Sequence, residues 1–185
     1  MLKLYGGARS RASIVQWYLE ELAVPYEFVL LDMQAGEHHQ PAFLTINPIG
    51  KVPAIVEGDF KLWESGAILL YLAEKYGEPN LTLKRRSLLN QWINYANATL
   101  SPAMISDAVR KTELPRHMTM LNHLLANQLF IIDESFSVAD VALGSLITYC
   151  QMMFQIDLSE YSAIVGYVKR LSERPPCQKT ILGIK

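Results

Sequence analysis

The chain has 185 residues with 17 basic against 18 acidic side chains; half of the residues are apolar and 19% are charged. That composition excludes an intrinsically disordered chain, and the balanced charge, with no broad basic stripe on any predicted helix, excludes the phosphate-neutralising surface that nucleic-acid binding requires. The length fits one compact unit or two small ones sharing an interface.

Met1-Leu2-Lys3-Leu4-Tyr5-Gly6-Gly7 lacks the apolar run of a signal peptide, and no stretch approaches a membrane span, so a cytoplasmic protein without membrane contact is expected. Cys150 and Cys177 form no Cys-x-x-Cys pair and fit neither a disulfide framework nor a zinc site. Both are expected to be buried or incidental thiols, and no metal centre is expected.

In chain order, Leu2 to Tyr5 reads as a short strand closed by Gly6-Gly7. A helix follows from about Ser10 to Leu22, with Ile14, Tyr18 and Leu22 on one face. Val24-Pro25 ends it and opens a second strand, Tyr26 to Leu31; a strand, helix, strand unit of this length needs a crossover, so the two strands should be parallel. Val52 to Val56 and Phe60 to Leu62 are joined by Glu57-Gly58-Asp59, a hairpin turn that makes the third and fourth strands antiparallel. Glu64 to Tyr76 is a strongly apolar helix, terminated by Gly77-Glu78-Pro79-Asn80.

Beyond that point only the helical period survives, which places a domain boundary near Gly77 to Leu83: units 1–77 and 84–185 with a linker 78–83. Lys84-Arg85-Arg86 reads as a solvated helix start. Leu88, Trp92, Ala96 and Thr99 trace one long amphipathic helix toward Val109. Pro115 opens another, with Met118, Leu121, Leu124 and Leu125 at helical spacing. Ser137-Val138-Ala139-Asp140 is a capping box opening an apolar helix that runs to about Met153. A last helix, near Glu160 to Arg174, stops before Pro175-Pro176. The order is βαβ, ββα, then all helix.

Asn47-Pro48-Ile49-Gly50-Lys51-Val52-Pro53-Ala54-Ile55 and Glu64-Ser65-Gly66-Ala67-Ile68-Leu69-Leu70-Tyr71-Leu72 resemble the glutathione-binding half of cytosolic glutathione transferases. The resemblance runs on through the boundary and Phe136-Ser137-Val138-Ala139-Asp140-Val141, so it covers nearly the whole chain. It implies an α+β protein with a thioredoxin-like N-terminal domain and an all-helical C-terminal domain. Glutathione would be co-substrate, a small hydrophobic electrophile the second substrate, and the assembly a homodimer. It also implies a cis bond at Val52-Pro53, where a strand opening on proline leaves the amide and carbonyl of Val52 without ladder partners, so that a peptide ligand can dock.

Glutathione carries a carboxylate and an ammonium at its γ-glutamyl end and a carboxylate at its glycyl end, so its site needs opposite charges placed apart. Ser65 stands where helix-start amides converge on a carboxylate, Glu64 can pair with the ammonium, and Lys51 can face the glycyl carboxylate. His38, in Gly36-Glu37-His38-His39, aligns with a histidine of theta-like transferases. Glu64-Ser65 also reads as a plain helix cap, and His38 as a solvated loop residue.

The reacting atom is the ligand's sulfur, whose thiol is only a few per cent ionised near neutrality; each unit of pKa lowering takes about 1.4 kcal/mol. Arg9 falls roughly where other classes place a tyrosine, serine or cysteine, and Ala8-Arg9-Ser10-Arg11-Ala12-Ser13 in so short a chain resembles the chi-type transferases of cyanobacteria. The expectation is that Ser10 donates to the thiolate while Arg11 or Arg9 adds positive potential. The alternatives are that Ser10 merely caps the helix, or that Tyr5 is the donor. Asp140 belongs to the capping box, not to catalysis. Tyr95, Met104, Met152 and Met153 are candidates to meet the electrophile, with ordinary core the preferred reading of each. The chi-type resemblance suggests isothiocyanates or activated halides, and peroxidase activity needs only the bound thiolate. A non-catalytic binding protein on the same fold is the competing reading.

Overall fold

The computed structural model describes residues 1–78 and 80–184. Pro79, assigned above to the linker, lies outside the described residues. The chain divides into two compact units, Met1–Asn80 and Leu81–Lys185.

The first unit is a four-stranded sheet in the order β2-β1-β3-β4, built from β1 (Leu2–Gly6), β2 (Tyr26–Leu30), β3 (Ala54–Glu57) and β4 (Phe60–Trp63). β1 runs parallel to β2, as the crossover argument requires, and β3 antiparallel to β4, as the hairpin requires; β1 also pairs antiparallel with β3, which neither argument addressed. Along β1 burial alternates: Leu2, Leu4 and Gly6 are buried while Lys3 and Tyr5 are half-exposed. α1 (Ala12–Glu21) and α3 (Ser65–Leu72) pack on each other and on the sheet, burying Val15, Leu19, Ile68, Leu69 and Leu72 with Leu4 and Ile55. Each such aliphatic side chain contributes about 1.5–3 kcal/mol of transfer free energy. Tyr5, on the opposite face, meets Phe43 of α2 (Pro41–Leu44) at a ring-centroid distance of 5.8 Å.

Several boundaries move. The third strand begins at Ala54 rather than Val52. The first helix begins at Ala12 because Ser10 and Arg11 form the turn that leads into it. The apolar helix after Glu64 is α-helical to Leu72 and continues as a π-helical turn, Ala73–Gly77. His38, read above as a loop residue, lies in a one-turn 3-10 segment, Glu37–His39, which α2 follows.

At the far end of the sheet from the site described below, the Glu57 carboxylate accepts hydrogen bonds from the hydroxyls of Tyr71 (2.7 Å) and Tyr76 (2.6 Å) and pairs with Lys75 at 2.7 Å. Burial pushes Glu57 up, but the bonds from Lys75, Tyr71 and Tyr76 and the charge of Lys75 outweigh it and bring the carboxyl down to about 2. A depressed carboxylate stabilises the fold above its ordinary pKa and loses that contribution as pH falls. Stability is therefore expected to decline from about pH 4.5 towards about pH 2 as Glu57 protonates, and Glu57→Gln should flatten that part of an acid-denaturation curve.

The second unit is helical: α4 (Leu83–Asn94), α5 (Ser101–Ile105), α6 (Asp107–Leu125), α7 (Val138–Phe154), α8 (Ser162–Ser172) and the single turn α9 (Pro175–Cys177). Thr82 caps α4 by accepting the Arg85 amide at 3.2 Å, and Arg85 pairs with Asp133 at 2.9 Å. The helix expected to run unbroken to Val109 is reshaped by a π-helical stretch, Tyr95–Leu100, and stopped at Ser106, whose backbone is extended.

Pro115 does not open a helix but sits inside α6. Pro115 and Lys111, whose carbonyl loses its helical partner, are both exposed, so the break falls on the solvent side of the helix. The stripe Leu114, Met118, Leu121 and Leu125 buries the other face and holds the helix together. Pro175-Pro176, read above as a stop, also opens α9, where proline's missing amide proton is no loss. Cys150 and Cys177 are both buried.

α7 is buried on nearly all sides from Val138 to Ile147. Its capping box is complete, and Asp140 does more than cap. Its fully buried carboxylate accepts from the amides of Ser137 and Ile131 (both 2.8 Å) and from the hydroxyls of Ser137 and Tyr167 (both 3.0 Å). Burial pushes the carboxyl up, against those bonds, and Tyr167 is raised well above its usual value by burial and by Asp140. No helix among the described residues is long and apolar enough to cross a membrane.

Candidate functional site

The strand register decides where the nominated residues meet. Gly6 at the C-terminal end of β1 pairs with Leu30 at the end of β2, Tyr5 pairs with Ala54 at the start of β3, and Ala54 pairs with Trp63 at the end of β4. The turn Gly7 to Arg11, the segment carrying His38, the pair Val52-Pro53 and the pair Glu64-Ser65 therefore all leave the sheet at one end. Two helix N-termini, those of α1 and α3, start there.

The turn before α1 is tight. A side chain on Gly6 would strike Ala12 and Phe28, and one on Gly7 would strike Met33. Arg9 adopts a left-handed backbone, φ 54, and is exposed. Ser10 is half-buried, and its hydroxyl oxygen accepts the amides of Gly7 (3.1 Å) and Ala12 (3.3 Å). Ser10 thus takes the first amide of α1 although Arg11 holds the N-cap position, and it uses only the oxygen: among the described residues Ser10 donates its own proton to nothing. Two incoming amide bonds polarise the O–H and make it a better donor. Arg11 is exposed and already has a partner within the protein. Tyr5 packs against Phe43, and its hydroxyl makes no hydrogen bond among the described residues.

Pairing of β1 with β3 stops at Ala54, and the Val52-Pro53 bond is cis, so Val52 lies beyond the ladder. What holds it there is Asn47, which the sequence reading placed in the turn without giving it a role. Asn47 is 2% exposed; its side-chain amide donates to the Lys51 carbonyl at 2.7 Å, and its carbonyl oxygen accepts the Ile49 amide at 3.0 Å. Gly50, at φ 68, packs so closely on His39 and the His38 carbonyl that any side chain would clash. Buried asparagine next to Pro-x-Gly was the available signal, since both ends of such a side chain need backbone partners.

Lys51 is exposed, with no ion-pair partner among the described residues. The His38 and His39 rings are in tilted contact, centroids 3.8 Å apart, and Nδ1 of His38 is buried without a partner among the described residues. Glu64 stands at φ 72 and ψ 117, a backbone region that costs a non-glycine residue about 1–3 kcal/mol, with its side chain exposed. Ser65, the first residue of α3, is buried, and its hydroxyl makes no hydrogen bond among the described residues. Lys51, Glu64, Ser65 and Ser10 are thus held in place at one sheet end with bonding capacity unused. In the second unit Met104 is buried core, whereas Met152 and Met153 are exposed. Tyr95, pushed up to about 12 by burial, bonds His117 at 3.0 Å.

Comparison with known proteins identifies the family. Residues 1–74 match the family "Glutathione S-transferase, N-terminal domain" and residues 86–179 match "Glutathione S-transferase, C-terminal domain". The chain is 30% identical to glutathione S-transferase GstB of Escherichia coli K12, over 98% of each chain. It is also 30% identical to the disulfide-bond oxidoreductase YfcG of that organism, over 98% of this chain and 95% of the other. With glutathione S-transferase F9 of Arabidopsis thaliana it shares 37% identity over 111 residues, about half of that protein's length. The solved structure of the transferase URE2P6 from Phanerochaete chrysosporium, in complex with oxidised glutathione, superposes with a TM-score of 0.84 at 28% identity, over 99% of this chain and 96% of that one. The chain belongs to the cytosolic glutathione transferase family, and its first unit is the thioredoxin-like domain of that family.

Proposed function

We propose that this transferase binds glutathione at the sheet end defined by Ser10, Val52-Pro53 and Glu64-Ser65 and adds the bound thiolate to small hydrophobic electrophiles, isothiocyanates or activated halides among them. The backbone of Val52 takes the peptide by strand-like hydrogen bonds. Ser65 and the amides of the α3 N-terminus take the γ-glutamyl carboxylate, Glu64 the ammonium, and Lys51 with His38 the glycyl carboxylate. The observation that carries the catalytic reading is the Ser10 hydroxyl, which accepts two amide bonds and keeps its proton for the sulfur. A chi-type subclass, a homodimer and peroxidase activity through the same thiolate belong to this reading.

Glutathione calorimetry tests the binding half. Heat of binding is expected for the wild type, and its absence would favour a non-catalytic interaction protein. Glu64→Gly separates stability from binding: relief of the backbone at φ 72 should add about 1 kcal/mol of stability, while loss of the ammonium partner weakens glutathione binding about 10- to 100-fold. A variant that binds glutathione as well as the wild type would remove Glu64 from the site.

A second reading rests on the match to an E. coli disulfide-bond oxidoreductase and on the oxidised glutathione in the fungal structure. Because Cys150 and Cys177 are both buried, exchange would run through the ligand. The glutathione thiolate attacks one sulfur of a disulfide, a new S–S bond forms, and the other sulfur leaves as thiolate. Turnover of a small dialkyl disulfide at the expense of glutathione, compared with that of a halide, ranks the two reactions.

A further inference from the structure

From the charge arrangement around Ser10 we infer that Arg9 is a specificity-determining residue that selects second substrates carrying a negative charge. The inference rests on the proposed glutathione site. Bound as the thiolate, glutathione brings two carboxylates, one ammonium and the sulfur anion. Lys51 and the start of α3 answer the carboxylates, Glu64 the ammonium and Ser10 the sulfur, each side chain standing at the same end of the sheet. Among the described residues that leaves Arg9, the residue before Ser10, as a cation with no role assigned.

Arg11 already has a partner in the protein, whereas Arg9 is exposed and has none among the described residues. Two acids of the segment that follows β2 are occupied with their own loop. Asp32 accepts the amides of Gln34 (2.8 Å) and Ala35 (2.9 Å), and Glu37 accepts the amide of Asp32 at 2.7 Å. An ordinary surface arginine would need no explanation. Arg9, however, sits at φ 54 immediately before Ser10, in a conformation that glycine adopts without penalty, so the chain carries a strained residue and an unneutralised guanidinium at the reacting end.

A guanidinium in that position attracts an electrophile bearing a carboxylate and offers it a bidentate partner while the sulfur attacks. The neutral analogue of the same electrophile gains nothing from it. For an α-halo acid the step is a displacement: the glutathione sulfur forms a bond to the α-carbon, the carbon–halogen bond breaks, and halide leaves with the electron pair.

Iodoacetate and iodoacetamide test this directly, because they differ in charge and little in size. The readout is the ratio of their enzyme-catalysed kcat/KM values with glutathione, after subtracting the spontaneous reaction; a ratio cancels any part Arg9 plays in stabilising the thiolate. Arg9→Gln is expected to lower the iodoacetate-to-iodoacetamide ratio about three- to tenfold, and Arg9→Lys to keep most of it, as one unit charge a few ångströms away dictates. Raising the salt to about 0.5 M should erode the wild-type ratio and leave that of Arg9→Gln unchanged. An equal ratio in wild type and Arg9→Gln would overturn the inference, including the case where both substrates slow together. No acceleration of either reagent by the wild type would overturn the transferase reading as well, so the two failures are distinguishable.

Discussion

Replacing Ser10 by alanine is expected to raise the thiol pKa of bound glutathione by about one to two units, the amount that one hydrogen bond to an anion supplies at about 1.5–3 kcal/mol. In ultraviolet titrations the thiolate band of the complex should move to higher pH, and turnover below pH 7 should fall about 10- to 100-fold. Alanine also removes the acceptor for the Gly7 and Ala12 amides, a capping loss of about 1 kcal/mol. Ser10→Asp separates the two roles. An aspartate accepts both amides and restores the cap, but has no proton for the sulfur and places a negative charge beside it. It should fold like the wild type and activate glutathione no better than Ser10→Ala. An unchanged band in Ser10→Ala would transfer the role to Tyr5, Arg9 or Arg11, and the single alanine variants at those positions would show which.

The second large effect is on stability alone. Asp140→Ala leaves the buried amides of Ile131 and Ser137 and the hydroxyl of Tyr167 without their acceptor. Each buried unsatisfied group costs about 1–3 kcal/mol, so the variant should lose about 3–5 kcal/mol, or roughly 10 °C in Tm for a protein of this size. Below its melting transition, its glutathione affinity and turnover should match the wild type. A variant that melts normally but loses turnover would move Asp140 into the chemistry. Asp140→Asn should recover only part of the loss, because its amide nitrogen cannot accept a hydrogen bond.

How much of this was legible in the sequence depends on whether the information is local. The directions within the first and second strand pairs followed from crossover length and from Gly58 in the hairpin turn; the order of the four strands, which depends on β1 meeting β3, did not. The capping box at Ser137 and Asp140 was legible because its two partners are three residues apart. That Asp140 also takes Tyr167 was not, since the contact joins α7 to α8 across 27 residues.

Pro115 was misplaced because proline favours both the first turn of a helix and, when its face is exposed and the opposite stripe is buried, a tolerated interior position. The periodicity of Leu114, Met118, Leu121 and Leu125 was the better guide. The break at Ser106 and the π-helical stretch from Tyr95 had no compositional mark. At the site the residue types were readable, but the use of their atoms was not. Sequence cannot say that Ser10 receives two amides and donates none, that Asn47 fixes the carbonyl of Lys51, or that Arg11 is engaged while Arg9 is not.

The central claim is that the bound sulfur lies against Ser10 at the sheet end shared by Val52-Pro53 and Glu64-Ser65. A crystal structure of the wild-type protein with glutathione tests it most directly. The expected complex has the Ser10 oxygen within about 3.5 Å of the sulfur, Val52 paired to the peptide backbone, and Glu64 and Ser65 on the γ-glutamyl end. A sulfur bonded to the Tyr5 hydroxyl, or glutathione lying away from Val52 and Glu64, would contradict it.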